Sequence, residues 1–272
     1  MGFLSNYYNK PGPGVDRDEP RKQGAARFFE ILARDFPGLV KLNLLFSLYC
    51  LPSFALFVLF ILGIGGVLSI LFLLLSLAAA FPVGGAIAAC FFCITKMMRD
   101  DPGFIWHDFK RKFKENYISA IPVGVFFVLV FYMQIHVLMI FSGGAGADVP
   151  LWAPVMNIIV LFVIAMIMPY IFVQLPYICL KPMELLKNSL ILSFINMPRS
   201  FMAALQGGAI LIIYAFFFPY SMVLSPLIAV FAFTLSWLLA LMWIWKPVDE
   251  RFKIEETLAK RKADALHEQM NL

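Results

Sequence analysis

All 22 lysines and arginines of this 272-residue chain fall in four stretches, 10–41, 96–114, 181–199 and 246–262. The segments between them are long, apolar and free of basic residues. Such a chain can be threaded through a bilayer so that every basic stretch faces the same side. Basic residues concentrate in the cytoplasmic loops of inner-membrane proteins, and that bias sets their orientation. The pattern predicts a multi-pass membrane protein with both termini cytoplasmic.

A hydrocarbon core about 30 Å thick needs about 20 helical residues at about 1.5 Å each. Six stretches meet that length: 42–63, 67–94, 118–141, 152–180, 201–218 and 222–245. An all-α membrane helix bundle follows, because lipid cannot satisfy the open edge of a sheet. Hydrophobic residues make up 61% of the chain and charged residues 14%, far from the roughly 25% charge of soluble domains. The expected organisation is a cytoplasmic or interfacial segment 1–41, a six-span domain 42–245 and a cytoplasmic tail 246–272. The net charge of +5 suits an anionic cytoplasmic leaflet and calls for no nucleic acid. About 40 mostly polar residues precede the first span, so insertion is expected to use that apolar hairpin and not a cleavable leader.

The basic stretches carry local structure of their own. Phe28, Ile31, Leu32, Phe36 and Leu39 recur at spacings of three or four, predicting an interfacial helix that Pro37 divides. Gly63-Ile64-Gly65-Gly66 is uncharged and reads as a tight hairpin; Pro82, with Gly84 and Gly85, predicts a kink or close approach in span two. Over 104–117, Ile105, Trp106, Phe109, Phe113 and Tyr117 cover an arc of about 120°. Lys110, Arg111 and Lys114 lie opposite. That segment reads as a helix on the membrane surface with snorkelling cations, or as a docking helix for a partner. A second short inside helix is expected over 181–190, before Asn196-Met197-Pro198-Arg199 breaks into span five. In the tail, Glu256 and Lys260 at i,i+4 predict a short solvated helix.

Catalytic signatures are missing from the sequence. It has no phosphate-binding loop of the G-x-x-x-x-G-K-[ST] type, so no ATP binding is expected, and no H-E-x-x-H pair. Cys90 and Cys93 have C-x-x-C spacing but no second Cys/His pair follows. They read as packing residues; no metal, cofactor or catalytic residue is assigned. The intramembrane polar candidates are Gln134, His136, Asn157 and Gln174; no Asp or Glu falls inside a predicted span. Ion-coupled carriers generally rely on such buried acids. Candidates for contact with a partner or the membrane surface are Trp106, Phe109, Phe113, Leu186, Pro198 and Arg199.

Tyr8-Asn9-Lys10-Pro11-Gly12-Pro13-Gly14-Val15-Asp16, Phe28-Phe29-Glu30-Ile31-Leu32 and Lys41-Leu42-Asn43-Leu44-Leu45 resemble the YesL-like family. This is a domain-of-unknown-function family of bacterial membrane proteins. Phe81-Pro82 through Lys96, Trp106-His107-Asp108-Phe109 and Leu186-Lys187-Asn188-Ser189-Leu190 are similar to it as well. Family members are often encoded beside carbohydrate ABC importers. The resemblance implies a non-enzymatic accessory subunit, or assembly or regulatory partner, of importer permease subunits in a bacterial plasma membrane. It supplies no catalytic residues. The permeases themselves carry a cytoplasmic Glu-Ala-Ala loop with a following Gly, and 181–199 has neither feature. The alternative reading is an independent channel or carrier for a small solute, for which the polar residues of the spans offer a thin path.

Overall fold

A computed structural model of the chain describes residues 22–63, 67–139, 150, 152–178, 180–217 and 230–270. Among the described residues the protein is all-helical. Nine helices follow in order: α1 (Gly24–Ile61), α2 (Val67–Ala79), α3 (Phe81–Met98), α4 (Ile105–Met139), α5 (Trp152–Gln174), α6 (Pro182–Ile195), α7 (Met197–Phe217), α8 (Ala232–Phe252) and α9 (Ile254–Met270). Among the described residues, four helical stretches are long and apolar enough to cross a membrane: Gly24–Ile61, Leu68–Met98, Ile105–Gln134 and Trp152–Gln174. The run 8–16, the hairpin residues 64–66, residues 143–148 between predicted spans three and four, Cys179 and residues 222–229 of predicted span six lie outside the described residues.

Two boundaries differ from the sequence reading. The interfacial segment and span one form the single helix α1, with Pro37 and Pro52 inside it. Proline removes one backbone donor and crowds the preceding turn, but packing along 38 residues holds the helix through both positions. Likewise, the surface helix 104–117 and span three are one helix, α4, which contains Pro122. Phe109 and Phe113 of its aromatic arc face the bundle, whereas Trp106 stays exposed. An arc of aromatics satisfies lipid and a protein neighbour equally, so helical periodicity could not choose between them.

Gly63, at φ 63°, ends α1 in the left-handed conformation that glycine adopts without a Cβ penalty. The kink expected in span two separates α2 from α3 at Ala80, with Pro82 in the first turn of α3.

α3 is the axis of the bundle. Every residue from Val83 to Thr95 is buried, which is why this stretch is apolar on all sides. Its tightest neighbour is α4. An ideal Cβ on Gly124 would lie 2.5 Å from the Gly84 Cα, so the backbones touch where both residues lack side chains. Across the bundle, the Ser53 hydroxyl donates to the Ser76 carbonyl (2.7 Å) and pairs with the Tyr132 hydroxyl (2.6 Å). The Tyr132 ring stacks on Phe57, centroids 3.7 Å apart.

α8 joins the bundle near both of its ends. Phe231, just before it, packs on Phe36, while Trp245 near its end packs on Tyr177. On α7, the neighbours Gln206 and Gly207 accept hydrogen bonds from Trp243 and Ser236, two turns apart on α8. α7 packs along α8 at these residues, and the start of α8 lies against α1. Its first turn is buried there, and Asn43 of α1 caps it: the Asn43 Oδ1 accepts from the Phe233 and Thr234 N–H groups, each at 3.1 Å. Helix N-termini leave such donors without an internal partner, and this cap satisfies two of them.

Candidate functional site

The basic stretches meet at one end of the bundle. Arg27, on the first turn of α1, donates to Glu30 (2.9 Å), to the Met98 carbonyl (2.8 Å) and to Asp100 (2.6 Å). Arg34, two turns further on, reaches the same Asp100 and also donates to Asp35 (2.7 Å) and the Met97 carbonyl (2.8 Å). The linker from α3 to α4 thus receives two guanidinium groups from α1. Asp100 adopts φ 59°, a left-handed conformation that Asp and Asn tolerate better than most residues. Partial burial opposes its negative charge, but the hydrogen bonds from Arg34 and Arg27 outweigh that and hold its pKa below the ordinary carboxylate range.

Further contacts close this end. Lys96 pairs with Asp108 at 2.6 Å, and Arg111 approaches the other Asp108 oxygen at 3.2 Å. Arg99 pairs with Asp101 (3.0 Å) and donates to the Tyr177 hydroxyl (2.9 Å), which also pairs with Thr95 at 2.5 Å. The Arg99 guanidinium also lies 5.3 Å from the Trp245 ring centroid, within cation–π range. Trp245 in turn donates to Glu255 of α9 at 3.0 Å.

Between these walls lies a cleft of about 300 Å³, lined by Arg34, Asp35, Lys96, Asp100, Asp101 and Asp108 among others. Arg27, Arg34, Lys96, Arg99 and Arg111 are matched in charge by Glu30, Asp35, Asp100, Asp101 and Asp108. A charged ligand would have to displace an existing ion pair. Chemically, the arrangement is a clasp tying the first turns of α1 to the α3–α4 linker, with α8 and α9 joined through Arg99 and Trp245. No group of three or more His, Cys, Asp or Glu is placed to hold a metal ion among the described residues.

The residues selected from sequence are not one site. Phe109 is buried (2% exposed) and Phe113 half-buried, its ring 4.6 Å from Tyr49 and seated over Gly85. Both belong to the bundle interior and are withdrawn from the docking surface. Trp106 remains 65% exposed. Leu186 and Pro198 are exposed and Arg199 half-exposed, on α6 and α7. Gln174 is buried at the charged end, donating to the Tyr170 carbonyl (2.8 Å) and the Ser189 hydroxyl (2.9 Å). Its Oε1, like that of Gln134, has no hydrogen-bond partner among the described residues. His136 is exposed, with its ring 6.2 Å from Phe60, and Asn157 is half-buried. No hydrogen bond joins any two of Gln134, His136, Asn157 and Gln174 among the described residues.

Sequence reasoning missed the clasp. Asp100 and Asp101 following Lys96 and Arg99 were the visible signal, since acids are few in so basic a stretch. Nothing in the chain, however, indicated that Arg27 and Arg34, more than 60 residues away, would meet them. Cys90 and Cys93 are free and buried, with the Cys90 thiol 3.7 Å from the Leu42 carbonyl, so they pack as read. Comparison with family models, with curated proteins and with solved structures finds no match.

Proposed function

We propose that this chain is a non-enzymatic accessory or assembly partner of a bacterial carbohydrate ABC importer, as its resemblance to the YesL-like family implies. In this reading it crosses the plasma membrane six times and keeps both termini cytoplasmic. The charged end faces the cytoplasm, because the four basic stretches converge there and the cytoplasmic side retains such residues. The supporting observation is how the apolar bundle spends its polar groups. Ser53 with Tyr132, Gln174 with Ser189, Tyr170 with Ser200 (3.0 Å) and Asn43 with α8 all join one helix to another. Interhelical bonds of this kind fix a scaffold; a solute path needs polar groups turned to a common lumen.

Exposed apolar residues at the charged end, Phe104 and Trp106 on one side and Met183 and Leu186 on another, offer contact to lipid and to permease subunits. Deleting the chain is expected to lower importer abundance or growth on a complex carbohydrate, and the tagged chain to copurify with permease subunits. External labelling of sealed cells is expected to spare Arg111→Cys and Lys260→Cys. Gradient-driven sugar uptake by the purified chain alone in proteoliposomes would overturn the accessory reading in favour of a carrier.

A further inference from the structure

α5 changes character halfway along its length. Met166 and the stretch from Met168 to Gln174 are buried. From Trp152 to Val163 no residue is buried, and Val155, Met156, Ile158, Ile159, Val160 and Leu161 are all exposed. Phe162 touches Phe201 of α7. This half of the helix is apolar on every face, with one exception. Between Ala153 and Pro169, Asn157 is the only side chain with a hydrogen-bonding nitrogen or oxygen. It makes no side-chain hydrogen bond among the described residues. Trp152 opens the helix at a depth typical of interfacial aromatics, and Asn157 lies about 7.5 Å beyond it, at 1.5 Å per residue.

We propose that this half of α5 is a self-association surface. Two copies pair in the bilayer with their α5 helices crossing near Asn157, each amide hydrogen-bonded to its counterpart. Acyl chains offer neither donor nor acceptor, and a polar group left unpaired in them is disfavoured. A carboxamide both donates and accepts, so it is complementary to another copy of itself. A two-fold axis places the same patch against itself, and this patch carries no charge to repel its counterpart. The surrounding apolar side chains are satisfied equally by lipid and by protein. The amide therefore decides the partner and fixes the register, as single buried asparagines do in helix pairs.

The test is energy transfer between donor- and acceptor-labelled copies of the full chain in proteoliposomes containing no other protein. A failure here leaves the importer reading standing, since no importer is present. Transfer is expected for the native chain and for Asn157→Gln. Asn157→Leu and Asn157→Ala are expected to dimerise roughly 3- to 18-fold more weakly, the span of measured interhelical hydrogen bonds in membranes. Ile159→Ala, on the opposite face of the helix, is expected to leave transfer unchanged. Helical circular dichroism and a single size-exclusion peak check that each variant is folded. Chance-level transfer by the native chain, or full transfer by folded Asn157→Leu and Asn157→Ala, would overturn the proposal.

Discussion

Gly84 and Gly124 bring α3 and α4 closer than any side chain permits, and Gly84→Ala tests that contact. A Cβ at position 84 would stand 2.9 Å from the Gly124 Cα and closer still to the Ala120 carbonyl oxygen. Both obstacles are backbone, so only parting the helices relieves the clash. Overpacking a tight interior costs about 1–3 kcal/mol, and so rigid an obstacle belongs in the upper half of that range. Alanine recovers about 0.5–1 kcal/mol relative to glycine within a helix. The difference is a net loss of about 1–2.5 kcal/mol. Gly208 on α7 supplies the matched comparison, because a Cβ there meets nothing within 4 Å. Unfolding in mixed micelles with a rising fraction of denaturing detergent, followed by circular dichroism, reads both variants. Gly84→Ala is expected to unfold at a lower detergent fraction than the native chain, and Gly208→Ala at the same fraction or a higher one. Equal stability of the two variants would refute the close-contact argument.

Asn43→Leu removes the acceptor for the Phe233 and Thr234 N–H groups while keeping an apolar residue of similar size. The loss is expected to be about 1–3 kcal/mol, as for buried donors left without a partner, with faster hydrogen exchange confined to the first turn of α8. Asp100→Asn keeps the left-handed backbone but removes the charge facing Arg27 and Arg34, and is expected to lower stability at pH 7. The Asp100 pKa is depressed by folding, so its contribution is full above the unfolded aspartate value of about 3.9. It is lost as pH falls through the lower folded value. The stability difference between native chain and variant is therefore expected to shrink in acid, and a difference that grows as pH falls would contradict the ion-pair assignment.

The sequence by itself determined that the chain is helical, that it enters a membrane, and where its charge gathers. Hydrophobic length and basic clustering depend only on the order of residues and the chemistry of a bilayer. The end of α1 at Gly63, the kink at Pro82, the pause at Asn196 and the Lys260–Glu256 pair at 2.7 Å were legible for the same reason, since each depends on near neighbours. Tertiary structure decided the rest. Phe109 and Phe113 turn inward because Gly85 leaves room for a ring and Tyr49 supplies a stacking face, and neither fact is present in the 104–117 stretch. α8 takes its N-terminal cap from Asn43, nearly 190 residues earlier, and no local pattern announces that pairing. Arg27, Arg34 and Asp100 were all visible as charges. Their pairing required α1 and α3 to be antiparallel neighbours, and helical periodicity says which face of a helix is apolar without saying what will cover it.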